Sequence, residues 1–175
     1  HDAPQEGGLL LMLDNMKAFD RVQWPFMFAT LSAFGLPDEF VHAVRVMYTD
    51  VRTVVKTNGR LGTPFTVSSG IRQGCVLSAL LYIFVQEVQL RMIRHSAAAG
   101  IQIPGHDGAT TPGRTAEVKE RGLVDDTLVM LRDASDLPTL LEVIQRFEHI
   151  SNHKMNMSKS VMILMGRYRE LDPVT

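Results

Sequence analysis

The stretch Gly8-Leu9-Leu10-Leu11-Met12-Leu13-Asp14 places a short, wholly apolar run directly before a carboxylate. Its length favours a buried β-strand over a helix. Farther along, Asp125-Asp126 lies between the apolar runs Leu123-Val124 and Leu128–Leu131, which predict two short strands with the acidic pair at their bend. A carboxylate at the end of a buried strand is unfavourable unless it is paired or binds a metal.

These carboxylates have two interpretations. If the two strands are neighbours in one sheet, Asp14 and Asp125 converge, and such a cluster suits Mg²⁺, a hard ion that takes carboxylate and phosphate oxygens. Two such ions about 4 Å apart would stabilise the attacking and leaving oxygens of a phosphoryl transfer. Alternatively, Asp14 only caps a turn, and Asp125-Asp126 is an ordinary hairpin bend. Their occurrence together favours the metal site.

The remaining pattern predicts an α+β fold, with helices on one face of a largely antiparallel sheet. Apolar spacing and breakers predict four helices, from Pro25 to Gly35, from Asp38 to Tyr48, from Leu77 to about His95, and from Asp136, as N-cap, to about Asn152 with Ile150 inward. Further strands are predicted at 51–57 and 64–67, joined through the hairpin signal Asn58-Gly59, and at 161–165. Residues 98–114 are rich in Gly and Pro and predict an irregular connection.

Composition sets the broad class. The 175 residues are 45% hydrophobic and 21% charged, an ordinary balance for one globular domain. The single cysteine, Cys75, excludes an intrachain disulfide and fits an intracellular protein. The longest apolar run, Val76–Val85, is too short to span a bilayer, so no membrane partner is expected. The first and last residues look cut, so we expect a fragment of a longer polyprotein.

Net charge does not favour a nucleic-acid partner, since it is −1. Its distribution is uneven, however. Residues 51–86 hold no acidic side chain but contain Arg52, Lys56, Arg60 and Arg72, and residues 149–169 are likewise free of acidic side chains. These stretches predict either basic nucleic-acid contacts or ordinary solvated surface.

Five sequence segments, in order, resemble the reverse transcriptases of non-LTR (LINE-type) retrotransposons. Asp14-Asn15-Met16-Lys17-Ala18-Phe19-Asp20-Arg21-Val22 is similar to the family's first catalytic motif, D-x-x-K-A-F-D-x-V. The others are Asn58-Gly59 with Pro64-Phe65, Gly70-Ile71-Arg72-Gln73-Gly74-Cys75-Val76-Leu77-Ser78 against G-x-R-Q-G-C-P-L-S, Leu123-Val124-Asp125-Asp126-Thr127 against Y-A-D-D-T, and Lys154, Asn156 and Ser158-Lys159-Ser160 against K-x-N-x-S-K. The resemblance spans residues 9 to 166 and implies a polymerase palm with fingers and thumb largely missing.

The resemblance also implies residue roles. Asp14 and Asp125 would hold two Mg²⁺ ions (or Mn²⁺), and Asp126 would complete the acidic cluster. Phe19 would lie under the sugar of the incoming nucleotide and exclude a 2′-hydroxyl, although a core role is the alternative. Arg72, Gln73 and Gly74 would lie against nucleotide and template, and Lys159 would reach the triphosphate or remain solvated.

The implied function is RNA-directed DNA synthesis, with an RNA template, a DNA primer, dNTPs and other polyprotein domains as partners. A nuclear location follows from the resemblance alone. Some positions depart from the pattern: Leu123 replaces an aromatic residue, Val124 an alanine, Val76 and Ala79 prolines, and Lys119-Glu120-Arg121 is unusually charged. These departures leave a second hypothesis open, a decayed palm that only binds nucleic acid or acts as a scaffold. A related polymerase, such as an intron-encoded maturase, is a third.

Overall fold

The computed structural model describes residues 7–104 and 115–169 of the chain. In chain order its elements are β1 (Gly8–Leu13), α1 (Trp24–Ala33), α2 (Asp38–Met47), β2 (Arg52–Thr53), β3 (Lys56–Thr57), β4 (Arg60–Leu61), β5 (Phe65–Thr66), α3 (Val76–Arg94), β6 (Ile101–Pro104), β7 (Thr115–Val118), β8 (Glu120–Leu123), β9 (Asp126–Leu131), α4 (Leu137–Ser151) and β10 (Val161–Met165). Short 3₁₀ turns occupy Ala134–Asp136 and Gly166–Tyr168. The predicted α+β class is confirmed.

The central sheet has four antiparallel strands in the order β10-β1-β9-β8. The strand that precedes Asp14 therefore lies in the middle of the sheet, between β10 and β9. Its pairing with β9 confirms that the two acidic segments belong to neighbouring strands. The predicted strand 161–165 is also confirmed, as the edge strand of this sheet.

Two hydrophobic clusters form the described core. One lies between β1, β9, α4 and the end of α3, and it includes Leu9, Leu11, Val129, Leu131, Leu140, Ile144 and Ile93. The other joins α1, α2 and the start of α3, and it includes Val22, Met27, Leu31, Val44, Tyr82 and Val85. Since α3 contributes to both clusters, it is the element that links the sheet to the helical layer.

The apolar run at Val76–Val85 is part of a longer helix. Residues Val76–Arg94 form a 19-residue helix that is long and apolar enough, by length and composition alone, to cross a membrane. In the structure 44% of the most apolar 18-residue part of this helix is buried, and buried side chains of the helix belong to both clusters. The helix therefore has the packing of a core helix in a globular domain.

Turn chemistry explains why the elements end where they do. Pro25 lies in the first turn of α1, where its missing N–H is not needed. Asn58 and Gly59 have φ values of 49° and 80°, as the two-residue hairpin turn between β3 and β4 requires. Asn152 ends α4 in the left-handed conformation, with φ of 62°.

Four details of the sequence prediction are wrong. Part of the segment predicted to be irregular, 98–114, is a strand: β6 pairs with β7, while residues 105–114 lie outside the described part of the chain. The sequence pattern does not predict β7 at Thr115–Val118, whereas the two strands that it predicts over 118–131 are present as β8 and β9. The Asp136 carboxylate does not cap α4 but accepts a hydrogen bond from the Ala99 N–H at 3.1 Å. Ile150 is exposed rather than inward.

Candidate active site

Asp14 and Asp126 flank one cross-strand pair of the central sheet. Leu13 pairs with Thr127, and both side chains are buried on the face covered by α3 and α4. Because side chains alternate along a strand, the residues next to this pair, Asp14 and Asp126, belong to the opposite face. The sheet therefore brings the two acidic positions to the same edge.

A tight turn presents the second acidic position. Leu123 pairs with Asp126, so the two-residue turn consists of Val124 and Asp125, and Asp126 already begins β9. The prediction that Asp125 and Asp126 form the bend is thus wrong by one residue: the turn consists of Val124 and Asp125. Val124 has φ of 56°, a conformation that is rare and strained for a β-branched residue. Strain of this kind persists only where the surrounding structure holds the turn in place.

Two backbone contacts hold Asp14 in place. Its N–H donates to the Ser160 Oγ at 3.2 Å, and its carbonyl accepts from the Asn156 N–H at 2.8 Å. The neighbouring Asn15 forms an isolated bridge with Met155 and donates to the Asp125 carbonyl at 3.5 Å. The segment that resembles K-x-N-x-S-K therefore lies directly against the first acidic motif.

The Tyr82 phenol lies close to the second acidic motif. Burial and the nearby Asp125 carboxylate raise the pKa of Tyr82, and a hydrogen bond from Asn15 opposes the rise. The hydroxyl donates to the Gln86 Oε1 at 3.2 Å. Tyr82 is thus a neutral hydroxyl beneath the turn.

The donor chemistry at this edge fits a hard divalent cation. Asp14 is half-buried, Asp125 and Asp126 are exposed, and all three offer carboxylate oxygens of the kind Mg²⁺ prefers. Among residues 7–104 and 115–169, no three acidic, histidine or cysteine side chains are gathered closely enough to hold a metal ion. The predicted three-carboxylate cluster is therefore not assembled in this structure, and the metal-ligand roles remain predictions.

Phe19 is half-buried and stacks on Tyr82. The ring centroids lie 4.4 Å apart at an interplanar angle of 22°. Tyr82 is fully buried, and Phe19 packs against the cluster around α1 and α3. One face of Phe19 thus belongs to the core, while the sugar-facing role stays a prediction.

The loop before α3 contacts the segment that follows Phe19. The Ile71 N–H donates to the Phe19 carbonyl at 2.8 Å, and the Gly70 N–H donates to the Val22 carbonyl at 2.8 Å. A Cβ on Gly70 would meet the Asp20 carbonyl oxygen at 2.9 Å, so only glycine allows this approach. The loop resembling G-x-R-Q-G therefore packs directly on the first motif.

Arg72, Gln73 and Gly74 are exposed at the end of this loop. Arg72 and Gln73 line a groove of about 1060 Å³ that also contains Lys17, Arg52, Trp24 and Phe65. Gly74 has φ of 84° and open space around it. Lys159 is exposed on the segment that contacts Asp14. The predicted substrate-binding residues thus lie on the loops around the acidic edge, and their contacts with substrate stay predictions.

Sequence reasoning missed the buried polar residues below the turn. Gln86 and Gln89 are each 2% exposed, and so is Thr127. A signal was present: the two glutamines are three residues apart on one side of a largely apolar helix, where buried amides require partners. The charged run at 119–121 is also explained, since buried Glu120 pairs with Arg94 at 2.7 Å and Lys119 donates to the Ser96 carbonyl at 3.0 Å.

An antiparallel sheet with helices on one face and acidic residues at the ends of its central strands has the architecture of a polymerase palm. The chain belongs to the reverse transcriptase (RNA-dependent DNA polymerase) family, whose sequence profile matches residues 1–172.

Its curated relatives are proteins of non-LTR retrotransposons. The chain is 31% identical over 156 residues to a transposon TX1 149 kDa protein of Xenopus laevis, covering 89% of the chain and 11% of that protein. It is 28% identical over 147 residues to the Pol polyprotein of the retrotransposable element R2DM of Drosophila melanogaster, covering 84% and 13%. The chain thus spans a small part of the length of these relatives.

Solved structures share the fold. Telomerase from Candida albicans, in a complex with a fragment of telomeric RNA, superposes with a TM-score of 0.63 at 14% identity, covering 89% of this chain and 27% of that one. Telomerase from Candida tropicalis gives a TM-score of 0.63 at 13% identity, covering 91% and 26%. At these identities the likeness shows the palm fold alone.

Proposed function

We propose that this chain is the palm of an RNA-directed DNA polymerase that extends a DNA primer on an RNA template during retrotransposition. The pairing of β1 with β9 carries the proposal, because it brings Asp14 and Asp126 to one edge of the sheet beside the Asp125 turn. Family membership and the retrotransposon relatives support the same activity.

Asp14 and Asp125 would hold divalent cations, with Asp126 completing the acidic set. When bound, Mg²⁺ would supply stabilisation of the attacking and leaving oxygens in a two-metal phosphoryl transfer, and Mn²⁺ would be a possible substitute. The fixed backbone of Asp14, bonded to Ser160 and Asn156, keeps one ligand in place. The strained turn at Val124 presents the other.

Other residues would bind and orient the substrates. Phe19 would lie under the nucleotide sugar. Arg72, Gln73 and Gly74, in the loop that precedes α3, would contact the nucleotide and the template. Lys159, on the segment against Asp14, would reach the triphosphate. The partners would be an RNA template, a DNA primer, dNTPs and the other domains of a longer polyprotein. The protein would act in the nucleus of the host cell.

The test is Asp125→Asn in the full-length protein, assayed by primer extension on an RNA template. The substitution keeps size and hydrogen bonding but removes one charge, so Mg²⁺-dependent synthesis should fall by at least about a thousandfold. Template binding should stay nearly unchanged, because it depends on lysine and arginine contacts with phosphates.

The wild-type protein decides between this proposal and a second candidate, a decayed palm that only binds nucleic acid. The replacement of the usual aromatic residue by Leu123, which is 74% exposed, favours the second candidate. RNA binding without synthesis in Mg²⁺ or Mn²⁺ would support the decayed palm. Synthesis retained in Asp125→Asn would show that the acidic turn is only a turn.

A further inference from the structure

The side-chain amide of Gln86 lies on the buried face of α3, and both of its polar atoms have hydrogen-bond partners. Its Nε2 donates to the Thr127 Oγ1 at 2.6 Å and to the Gln89 Oε1 at 2.8 Å. Its Oε1 accepts from the Tyr82 hydroxyl at 3.2 Å. A buried amide with all its hydrogen bonds made fixes the relative placement of the groups it joins, because loss of any partner leaves a desolvated polar atom.

Thr127 is the point where this network meets the candidate site. It follows Asp126 directly in β9, and its cross-strand partner Leu13 directly precedes Asp14. On its other side it pairs with Gly122 in β8. A hydrogen bond to Thr127 therefore acts on a residue that adjoins Asp126 along β9 and pairs with the residue that precedes Asp14.

The same face of α3 contacts the hairpin at two further positions. Four residues beyond Gln86, Leu90 packs on Gly122, where a Cβ would come within 2.6 Å of the Leu90 Cδ1. Four residues further, Arg94 pairs with Glu120 at 2.7 Å. Apolar contact with Gly122 permits sliding, whereas the hydrogen bonds from Gln86 and Arg94 are directional. Of these two bonds, the one from Gln86 lies nearer the turn.

We propose that Gln86 is a positioning residue that, through Thr127, sets the placement of the Asp125 turn relative to Asp14. The inference rests on the proposed function and deepens it: Gln86 contacts no substrate but holds the sheet on which the two carboxylates stand. Without this bond the hairpin shifts on α3, and the carboxylates bind a divalent cation less tightly.

The test uses four substitutions in the full-length protein. Gln86→Leu and Thr127→Val each remove the bond at nearly constant volume, and Thr127→Ser keeps the hydroxyl. Gln89→Leu is the matched control, because it also removes a hydrogen bond of Gln86 from the buried face of α3 but leaves the Gln86–Thr127 bond in place. Thermal unfolding of each variant measures the general loss of stability.

The first readout is Mn²⁺ binding, followed by electron paramagnetic resonance without substrate. Loss of a residue that orients a metal ligand weakens metal binding by roughly tenfold or more, and this is expected for Gln86→Leu and Thr127→Val. Thr127→Ser and Gln89→Leu should bind Mn²⁺ within about twofold of wild type. Hydrogen exchange of the 120–128 amides should be faster only in the first two variants.

The second readout is primer extension, with kcat and the KM for dNTP measured separately. Gln86→Leu and Thr127→Val should lower kcat by roughly ten- to a hundredfold with little change in KM. The double variant should be no worse than either single one, because both remove the same bond. If Gln86→Leu does not fold, the Thr127→Val and Thr127→Ser pair carries the test.

Two results would overturn the inference while leaving the polymerase function intact. One is unchanged Mn²⁺ affinity in Gln86→Leu and Thr127→Val in an enzyme that Asp125→Asn inactivates. The other is an equal loss of Mn²⁺ affinity in Gln89→Leu, which would show a general effect of stability. Absence of synthesis by the wild-type protein would instead contradict the proposed function.

Discussion

Phe19 illustrates how one side chain can belong to the core and to the proposed site together. Its ring stacks on Tyr82, and its carbonyl accepts from Ile71 in the loop before α3. The stack fixes the position of the ring. A ring held in place can exclude a 2′-hydroxyl by its bulk, because it cannot move aside. The same stack would exist if Phe19 served packing alone, so a functional measurement has to decide.

Phe19→Ala should reduce the selectivity for deoxyribonucleotides. Removing the ring leaves space beneath the sugar, and the ratio of kcat/KM for dNTP over rNTP should fall by at least about tenfold. The control is Phe26→Ala, which truncates another half-buried phenylalanine packed on the same cluster. An unchanged ratio in Phe19→Ala would assign the residue to the core only.

His153 makes the fold sensitive to acid. The side chain is 1% exposed, neither ring nitrogen has a partner in the described structure, and the ring lies against Tyr82 and Phe147. Burial lowers the pKa of His153 from 6.5 to about 4; the Ser151 backbone opposes this shift, and the positive charge of Arg21 adds a smaller contribution to it. The imidazole is therefore neutral in the folded protein at neutral pH.

The free energy of unfolding should fall as the pH drops from 6.5 towards 4. The unfolded chain takes up a proton on His153 below pH 6.5, whereas the folded chain does so only near pH 4, so the stabilisation is complete above 6.5 and is lost below it. The expected loss is about 3 kcal/mol, measured by denaturant titration at several pH values. His153→Leu should remove this part of the pH dependence; an identical profile would contradict the argument.

In the loop 70–74, Gly70 combines a positive φ with a close backbone contact. Gly70 has φ of 91° and approaches the backbone of Asp20 in the first motif. Gly59, at the tip of the β3–β4 hairpin, has a similar φ of 80° but nothing within 4 Å of a built Cβ. The two positions share the conformational requirement and differ only in the space around them.

Gly70→Ala should therefore destabilise the protein more than Gly59→Ala. Both substitutions place a Cβ in the left-handed region, which costs about 1 kcal/mol. Gly70→Ala adds a clash with the Asp20 carbonyl, for a further 1–3 kcal/mol or so. Chemical denaturation of the two variants measures the difference, and equal losses would show that the loop moves aside without penalty.

The whole molecule combines a slightly negative net charge with an unevenly distributed basic surface. Arg52 pairs with Asp50, but Lys56 and Arg60 on the β3–β4 hairpin are exposed and form no ion pair in the described part of the chain. The hairpin follows β2 and precedes β5, and residues of both strands line the 1060 Å³ groove together with Arg72. Such charge attracts a phosphate backbone whatever the net charge of the chain.

Removing this charge should weaken RNA binding and flatten its salt dependence. For Lys56→Ala with Arg60→Ala, the slope of log K against log salt concentration should decrease by about 1.4, or about 0.7 per lost phosphate contact with a single strand. Arg91→Ala with Arg167→Ala removes two arginines that already pair with Glu87 and Asp133, and serves as the control. Equal slopes in both double variants would exclude the hairpin from the interface.

The sequence by itself determined the elements and the family. Local signals located β1, α1, α2, α3, β10 and the Asn58-Gly59 turn, because strand and helix periods and turn residues act over a few neighbouring positions. The ordered motifs around Asp14, Arg72 and Asp125 indicated the reverse transcriptase family. The predictions for Asp136 and Ile150 were wrong because tertiary packing, not the local sequence, determines the environment of these side chains. Asp136 accepts a hydrogen bond from Ala99 instead of capping α4, and Ile150 is exposed to solvent.

Only the tertiary structure decided which residues meet across long sequence separations. The order β10-β1-β9-β8 and the Leu13–Thr127 register align residues more than a hundred positions apart, and register depends on the packing of whole strands. The same holds for the stack of Phe19 on Tyr82 and for the bond from Gln86 to Thr127. Burial and hydrogen-bond satisfaction belong to the assembled core, since a polar side chain finds its partner only after the helix and the sheet are packed together.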